Sequence, residues 1–267
     1  MMRFDHLVVV RGGGDIGSGV IWRLRRVGFP VVVLELERPL SVRRSVSFSS
    51  AVTEGEIEIE GIRGVSANSP MEAEAIAGRG DVAVLTSETI PAFLTTPSVI
   101  VDARLAKRNL DTAITDAPLV IAIGPGFEAG VDCHAVIETK RGHDLGRVIR
   151  SGKAAPDTGR PGVIGGISTE RLVRAPADGS IEWSARIGSP ASEGDVLGWI
   201  GNTEVVANTS GVIRGLIGEG PVTRGLKIGD IDPRADASAT TTISDKALSV
   251  GGGVLEAVVS WINGDFR

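Results

Sequence analysis

The chain has 267 residues and a mass of 27.7 kDa, with 42% hydrophobic and 23% charged residues. A chain of this length and apolar content buries an ordinary globular core, which excludes a disordered, collagen-like or disulfide-stapled protein. Its net charge is −5, only 4% of its residues are aromatic and it has no Tyr. It therefore lacks the basic surface and the stacking side chains of nucleic-acid binders, and we expect no nucleic-acid partner.

The first residues and the single cysteine bear on location. The opening MMRFDHLVVVRGGG has a short apolar run at 7–10 followed at once by glycines, which does not fit a secretory signal peptide. No stretch approaches the ~18 apolar residues that span a bilayer, so we expect no membrane association. Cys133 cannot form an internal disulfide, which is typical of a reducing compartment. We therefore expect a cytoplasmic protein.

The local pattern changes near residue 155. Before it, short Val/Ile-rich runs alternate with helix-like segments, as expected for parallel strands buried on both faces. These runs are 7–11, 31–36, 82–86, 98–102 and 119–123. After the Pro/Gly-rich stretch 155–166 come short strands with glycine turns, and from about residue 242 an amphipathic helix. We predict a Rossmann-like parallel-sheet domain over 1–155, a small all-β domain over 160–235 and a C-terminal helical segment over 240–267.

A glycine motif follows the first predicted strand. The pattern G-x-G-x-x-G precedes a predicted helix, and an acidic residue ends the second strand, where a ribose hydroxyl would be met. In dinucleotide-binding units such glycines allow a tight turn, approach of the backbone to a pyrophosphate and close helix packing. The residues predicted to bind a nucleotide or dinucleotide are Gly12, Gly13, Gly14, Asp15, Gly17 and Glu35.

Two observations leave the ligand of this loop open. The glycines would also shape a tight turn in a scaffold that binds nothing. Asp15 would repel a pyrophosphate unless a cation or donor offsets its charge, which favours a ligand with less negative charge than NAD. Arg43 and Arg44 follow the second strand, where guanidinium groups suit a phosphate or carboxylate; the alternative is that both are solvated loop residues.

Further candidates follow the later strands, because open α/β sheets bind ligands at the carboxyl ends of their strands. Asp102, Arg104, Lys107 and Arg108 follow the run 98–102, and on a helix the three cations would share a face and receive a phosphate group. The alternative is a solvated helix surface.

A second glycine turn and the histidines complete the candidates. Gly124 and Gly126 form a turn whose amides would line a pocket. His134 and His143 are weak candidates for acid–base catalysis. Their spacing with Cys133 matches no zinc pattern, so we expect no metal.

The second half contains an internal repeat. Segments beginning at Ala175 and Ala207 share three turn glycines and a closing Ile, and two copies are too few for a solenoid. The motifs A-P-x-D-G at 175–179 and S-E-G-D-V-L at 192–197 resemble the barrel-sandwich hybrid of biotinyl and lipoyl carrier domains. The hairpin at 201–204 has no Lys for cofactor attachment, so we expect neither biotin nor lipoate. An unmodified docking module and a stability domain are both open.

Seven segments spread over nearly the whole chain are specific when taken together. They are VVVRGGGDIGSGV, VVVLELERPLSVRRSVSFS, VDARLAKRN, IAIGPGFEAG, HAVIETKRGHDLGRVI, KIGDIDPR and TISDKALSVGGGVLEA. These segments resemble the YqeB family of accessory proteins in selenium-dependent molybdenum hydroxylase systems. The N-terminal part is also similar to the Rossmann-type part of the XdhC maturation factors.

The resemblance implies a maturation role. A molybdopterin-type molybdenum cofactor, or a nucleotide used to modify or insert it, would bind between the two domains at the motif positions named above. The implied partners are a molybdenum hydroxylase, selenium-delivery proteins and a small phosphate-bearing ligand. Two alternatives stay open: an NAD(P)-dependent oxidoreductase, for which no catalytic acid can be named, and a ligand-free scaffold that binds a hydroxylase subunit. Whether the protein catalyses a reaction is left open.

Overall fold

The structure is a computed structural model that describes residues 5–157, 159, 166 and 169–266. The chain forms two compact units: the first comprises residues 1–39, 47–158 and 243–267, and the second residues 40–46 and 159–242. The second unit therefore includes a short segment from the first half of the chain, and the C-terminal segment belongs to the first unit. Part of the Pro/Gly-rich stretch 155–166, with the start predicted for the second domain, lies outside the described residues.

The first unit is built on one large sheet. Its strands are β1 (Val8–Arg11), β2 (Val31–Glu35), β3 (Glu56–Ile59), β4 (Ile62–Ala67), β5 (Val82–Thr86), β6 (Val99–Asp102), β7 (Leu119–Ile123), β8 (Glu128–Ala129), β9 (Ala135–Ile137), β10 (Val148–Ile149) and β11 (Gly152–Lys153). Within the described residues, nine of them form the sheet in the order β10-β9-β7-β6-β1-β2-β5-β4-β3. Strands β8 and β11 form a separate antiparallel pair.

The centre of this sheet is parallel and covered on both faces. All five Val/Ile-rich runs form strands, and these strands pair in parallel. The helices are α1 (Asp15–Val27), α2 (Ala51–Glu54), α3 (Pro70–Arg79) and α4 (Asp245–Ile262). On β1, Val8 and Val10 belong to the core formed with α1 and α4, whereas Val9 belongs to the core formed with α3. No helix in the part of the chain that the structure describes is long and apolar enough to cross a membrane.

The predicted fold class is wrong. The large sheet is mixed, because the β3–β4 hairpin and strand β10 pair antiparallel at its two edges. The hairpin turns at Glu60 and Gly61, both with positive φ. Its strands are partly exposed, so they lack the continuous apolar run that predicts a strand buried on both faces. The prediction was a Rossmann-like parallel-sheet domain, a barrel-sandwich hybrid of the biotinyl/lipoyl type and a separate C-terminal helix. The structure instead has a mixed sheet, separate antiparallel sheets and a C-terminal helix that belongs to the first unit.

Helices α1 and α4 pack closely and run in the same direction. A side chain at Gly19 of α1 would clash with the carbonyl oxygen of Ala247, and one at Gly251 of α4 would clash with the carbonyl oxygen of Gly19. Helix α4 begins near Asp15, the first residue of α1, because the charge of Asp15 acts on Lys246 in the first turn of α4. At the other end of α4, the ring of Trp261 contacts the ring of His6, which precedes β1. Both helices therefore begin at the same end of the sheet.

The second unit consists of antiparallel strands. They are β12 (Leu172–Arg174), β13 (Gly179–Trp183), β14 (Pro190–Ala191), β15 (Val196–Ile200), β16 (Thr203–Val206), β17 (Gly211–Leu216), β18 (Gly220–Val222) and β19 (Lys227–Asp232). Among residues 169–242 they form two four-stranded sheets, β12-β19-β17-β14 and β16-β15-β13-β18.

The internal repeat is visible in the backbone of this unit. All six of its turn glycines have positive φ. The third glycine of each copy donates to the first alanine of the other: Gly225 N–H to the Ala175 carbonyl at 2.8 Å, and Gly194 N–H to the Ala207 carbonyl at 2.9 Å. The two copies therefore hold each other through equivalent hydrogen bonds.

Candidate functional site

The strand order of the large sheet reverses at β1. Strand β2 lies on one side of β1 and β6 on the other. In open sheets of parallel strands, ligands bind outside the carboxyl ends at such a point. We call this region the carboxyl edge. It comprises the segments that directly follow β1, β2, β6, β7 and β9, together with the first turns of α1 and α4. It contains most of the residues that the sequence predicts to bind a ligand.

The glycine loop after β1 is covered by other parts of the chain. The amide of Gly13 donates to Glu35 Oε2 at 2.8 Å, and its carbonyl accepts from the Ser49 amide at 3.0 Å. Gly12 has a φ of +97°, and a Cβ there would lie 3.0 Å from the carbonyl oxygen of Ala103. The carboxylate predicted to meet a ribose hydroxyl therefore binds the loop itself, and the glycines allow close packing.

The end of the glycine loop starts α1. Gly14 is the N-cap and provides no side-chain acceptor for the first-turn amides, and Asp15 is the first helical residue. Gly17 has no room for a side chain, because a Cβ there would clash with the carbonyl oxygen of Gly12. The first turn of α1 therefore combines amide donors with one carboxylate.

A partly buried polar network joins the ends of β1 and β6. Asp102 accepts from Arg104 Nη2 and from the Thr112 hydroxyl, both at 2.6 Å. Asp111 accepts from Arg11 at 2.8 Å and from Arg104 at 2.7 Å. The hydrogen bond from Arg11 is the main cause that lowers the pKa of Asp111 to about 2, against a smaller opposing effect of burial. Two guanidinium groups and two carboxylates thus pair with one another here.

The three cations predicted to share a helical face do not. Residues 103–109 form an irregular loop, in which Leu105 and Lys107 have φ values of 55° and 61°. Lys107 instead pairs with Asp157 at 2.8 Å. The backbone of Arg108 lies so close to Gly126 that a Cβ on this glycine would be 2.5 Å from the Arg108 nitrogen. Positive φ at residues other than glycine is costly and is typical of strained functional loops.

Strands β7 and β9 end in a group of backbone donors. The buried Glu138 follows β9 and accepts from the amides of Thr139, Lys140 and Ala155, each at 2.7 Å. Gly124 follows β7 with a φ of +77°, and a Cβ there would lie 2.9 Å from the Thr139 hydroxyl oxygen. The loop after β7 therefore packs directly on the loop that holds Glu138.

Lys246 lies in the first turn of α4, half-buried among charged groups. Burial and then the charge of Arg141 lower its pKa, and together they outweigh the opposing charges of Asp15, Glu138 and Asp245. Arg141 and Asp245 pair with each other at 2.6 Å. Within the described residues, no carboxylate lies within 4 Å of the Lys246 ammonium group. Perturbed lysines of this kind are concentrated at functional sites.

The histidines and the cysteine form no site together. His134 Nδ1 accepts from the Val120 amide at 2.9 Å, and burial lowers the pKa of this imidazole. His143 lies exposed in the loop between β9 and β10. Cys133 is fully buried, which raises the pKa of its thiol to about 12. In the described part of the chain, no group of three or more His, Cys, Asp or Glu side chains could hold a metal ion.

Arg43 and Arg44 belong to the second unit, not to the unit of the glycine loop. Arg43 is buried and donates through Nη2 to the carbonyl oxygens of Ala239 and Thr242 at 2.7 and 2.8 Å. Arg44 Nε donates to the carbonyl oxygen of Leu216 at 2.9 Å. Both guanidinium groups thus bind backbone carbonyls within their own unit.

The sequence analysis missed Arg11, Thr112, Glu138 and Lys246. One signal for Lys246 was present, because Ser244 is a good N-cap residue and places the lysine in the first turn of a helix. Nothing local indicates which charges surround it.

No protein-family model matches the chain. The chain is similar to a solved succinylglutamatedesuccinylase/aspartoacylase from Rhodobacter sphaeroides, with 17% identity, 85% of this chain and 84% of that chain covered, and a TM-score of 0.27. It is also similar to an aspartoacylase family protein from Mesorhizobium loti, with 12% identity, 85% of this chain and 84% of that chain covered, and a TM-score of 0.29. A third similar structure is the product-bound ectoine utilization protein EutE (DoeB) from Ruegeria pomeroyi, with 12% identity, 84% of this chain and 56% of that chain covered, and a TM-score of 0.23. TM-scores of this size transfer no activity to this chain.

The function predicted from the family resemblance is contradicted by these comparisons. The similar solved structures are described as desuccinylase/aspartoacylase and ectoine utilization proteins, and not as molybdenum hydroxylase maturation factors. The interpretation as a maturation factor that binds molybdenum cofactor or a nucleotide is therefore wrong. The comparisons give no support to its alternatives either, an NAD(P)-dependent oxidoreductase and a ligand-free hydroxylase scaffold. Nothing found supports the likeness to the XdhC factors.

The sequence comparison agrees with the family motifs. The chain is 49% identical over 266 residues to "Uncharacterized protein YqeB" of Escherichia coli (strain K12), which covers 97% of this chain and 49% of that protein. The chain thus spans about half the length of the curated relative that it matches. The relative's name assigns no activity. Over almost its whole length this chain is similar to YqeB, and this similarity supports the YqeB family as its family.

Proposed function

We propose that this chain binds a small phosphate-bearing ligand at the carboxyl edge of the first unit, with Lys246 as the counter-charge. The observation that carries the proposal is the half-buried ammonium group of Lys246, which has no carboxylate within 4 Å among the described residues. Burying a charge without a counter-charge costs free energy, and an anionic ligand would offset that cost.

The backbone at this edge favours an anion. Helices α1 and α4 both begin here, and a helix N-terminus offers amide donors and the positive end of the helix dipole. The first turn of α4 is capped by the Ser244 hydroxyl, which accepts from the Ala247 amide at 3.1 Å. Gly14 provides no such cap for α1. The amides of the α1 first turn are therefore the suitable donors for a phosphate group.

The surrounding charges limit the ligand to a modest negative charge. Arg141 and Asp245 neutralise each other, and Glu138 is bound by three backbone amides. Asp15 lies at the N-terminus of α1, where the helix dipole offsets part of its charge. Lys246 thus supplies the positive charge for the ligand, while Asp15 disfavours a pyrophosphate. A single phosphate group fits this balance best.

The glycine loop itself is not the binding surface in this proposal. The Gly13 amide is already bonded to Glu35 and its carbonyl to Ser49, so a ligand cannot lie along the loop as a dinucleotide pyrophosphate does. The ligand would instead contact the first turn of α1 and the Lys246 ammonium group.

Isothermal titration calorimetry tests the proposal with ribose 5-phosphate and glycerol 3-phosphate, each compared with its phosphate-free counterpart. We expect binding only when the phosphate group is present. The substitution Lys246→Met keeps most of the side-chain length but removes the charge. Losing one charge-assisted hydrogen bond, about 1.5–3 kcal/mol, weakens binding roughly 10–150-fold.

Lys153→Met is the matched control, because Lys153 is an exposed lysine of the same unit that pairs with Glu128 at 3.1 Å. This variant should bind like the unmodified chain. Affinity should also fall as the pH rises through the lowered pKa of Lys246, since only the ammonium form attracts an anion. The proposal fails if no phosphate compound binds, or if Lys246→Met binds as tightly as the unmodified chain.

A further inference from the structure

One sheet of the second unit carries an exposed tryptophan between two carboxylates. Trp199 of β15 lies opposite Glu182 of β13 on one side and opposite Glu204 of β16 on the other. Opposite residues of antiparallel strands point to the same face of the sheet, with Cβ atoms about 4.5–5.5 Å apart. Trp199 is 41% exposed, and both glutamates are exposed. The three side chains therefore form one row across the sheet, which we call the tryptophan row.

The other face of these strands is the core of the second unit. Ile181, Ile200 and Val205 are the neighbours of the row along β13, β15 and β16, and each is at most 2% exposed. Because successive side chains of a strand point to opposite faces, the row points away from this core.

Exposed apolar side chains continue the surface beside the row. The register of β15 and β16 shifts between Val196 and Gly198, and Val196 lies opposite Val206. These two valines are 36% and 38% exposed. A patch of exposed apolar side chains, here Trp199 with the two valines, marks a surface that another molecule covers.

The two carboxylates of the row have no counter-charge. Among the described residues, neither Glu182 nor Glu204 makes an ion pair or a side-chain hydrogen bond. The four strands of this sheet, β16, β15, β13 and β18, contain no Lys, Arg or His. No cation in the described part of the chain lies over the Trp199 ring. The surface is therefore complementary to a cation that stands beside apolar side chains.

We infer that this face of the second unit binds a segment of a partner protein through an arginine, whose guanidinium group stacks on Trp199 between Glu182 and Glu204. A guanidinium group stacks on an aromatic ring and presents N–H donors at its edges, which suits a ring with a carboxylate on each side. Neighbouring strands are about 4.8 Å apart, so both carboxylates stand close to such a group. The two valines would contact an apolar residue beside the arginine.

This inference concerns the second unit and goes beyond the function proposed for the first. The test is a nuclear magnetic resonance titration of the ¹⁵N-labelled full chain with the peptide acetyl-Gly-Val-Arg-Val-Gly-amide. The indole N–H signal of Trp199 is assigned by its loss in Trp199→Phe, and we expect the peptide to shift this signal saturably. The same peptide with citrulline in place of arginine keeps the shape but not the charge. It should bind at least about fivefold more weakly, because it loses the cation–π contact and both ion pairs.

Single substitutions in the chain locate the binding surface. Glu182→Gln and Glu204→Gln should each weaken binding of the arginine peptide about two- to fivefold, the effect of losing an exposed ion pair. Glu193→Gln is the matched control, because Glu193 is an exposed glutamate of the same unit in the turn before β15, outside the four strands. It removes the same charge, and the affinity should not change.

Three results would overturn the inference. The first is that the arginine peptide does not shift the Trp199 signal, or that the citrulline peptide binds equally well. The second is that Glu193→Gln weakens binding as much as Glu182→Gln, which would indicate attraction by the overall charge only. The third is that the Trp199 signal shifts with the concentration of the chain alone while sedimentation velocity detects a dimer, since a second copy would then cover this face.

Discussion

Replacing Gly251 and Gly252 of α4 by alanine, one at a time, is expected to change stability in different directions. A Cβ on Gly251 would clash with the carbonyl oxygen of Gly19 in α1, whereas a Cβ on Gly252 would have no atom within 4 Å. Both residues lie inside the same helix, so their helical environment is the same. The comparison therefore isolates the close contact between α1 and α4.

The magnitude follows from two terms. Alanine is favoured over glycine in a helix interior by about 0.8–1.0 kcal/mol, and Gly252→Ala should stabilise the first unit by about that amount. Gly251→Ala gains the same term but forces a methyl group against backbone atoms, which cannot rotate away. Overpacking of this kind costs about 1–3 kcal/mol. The two variants should therefore differ by about 1–3 kcal/mol, with Gly251→Ala the less stable.

Differential scanning calorimetry of the full chain is the suitable assay. At about 2–4 °C per kcal/mol for a protein of this size, the difference corresponds to roughly 2–12 °C in Tm. Equal Tm values for the two variants, or a higher Tm for Gly251→Ala, would refute the conclusion that glycines hold α1 and α4 in close contact.

Three further predictions concern charged and reactive groups. Asp102→Asn removes the buried one of the two carboxylates that pair with Arg104 and leaves only Asp111, so it should destabilise the chain by about 1–3 kcal/mol in urea unfolding; a loss well below 1 kcal/mol would contradict this. Cys133, with its pKa raised to about 12 by burial, should react with an aromatic disulfide reagent at neutral pH only after unfolding, and rapid labelling of the native protein would count against the assigned burial. Lys246 has a folded-state pKa below its usual 10.5, so the unfolded chain binds more protons between the two values and stability rises with pH there. Lys246→Met should remove that rise and be the more stable protein at neutral pH; a stability difference that is constant from neutral pH to above 10.5 would disprove it.

The local sequence pattern was sufficient to predict the buried strands of the first unit and the internal repeat of the second. A strand covered by helices on both faces must be apolar along its whole length, and the runs that became β1, β2, β5, β6 and β7 have this property. The repeat of the second unit was visible because turns with positive φ need glycine at the same places in each copy.

The local sequence did not determine which strands form the two edges of the large sheet. Strand β3 alternates polar and apolar residues and β4 does so only in part, and such a hairpin can join any sheet that offers a free edge. Strand β10 has two residues, too few for a recognisable pattern. Because the hydrogen-bond partner of an edge strand is a tertiary choice, the predicted fold class failed at these positions.

For the candidate site too, the sequence indicated some of the residues and only the tertiary structure identified the others. Asp102, Arg104 and the glycine loop were found from the sequence, because they directly follow strands and chain direction places them at the carboxyl edge. Lys246 and Glu138 were not found, since they come close only when α4 packs on α1 beside the end of β9. The sequence alone determined which residues stand at strand ends. The tertiary structure decided which charges meet and how deeply they are buried, because burial and neighbouring charge depend on packing between distant segments.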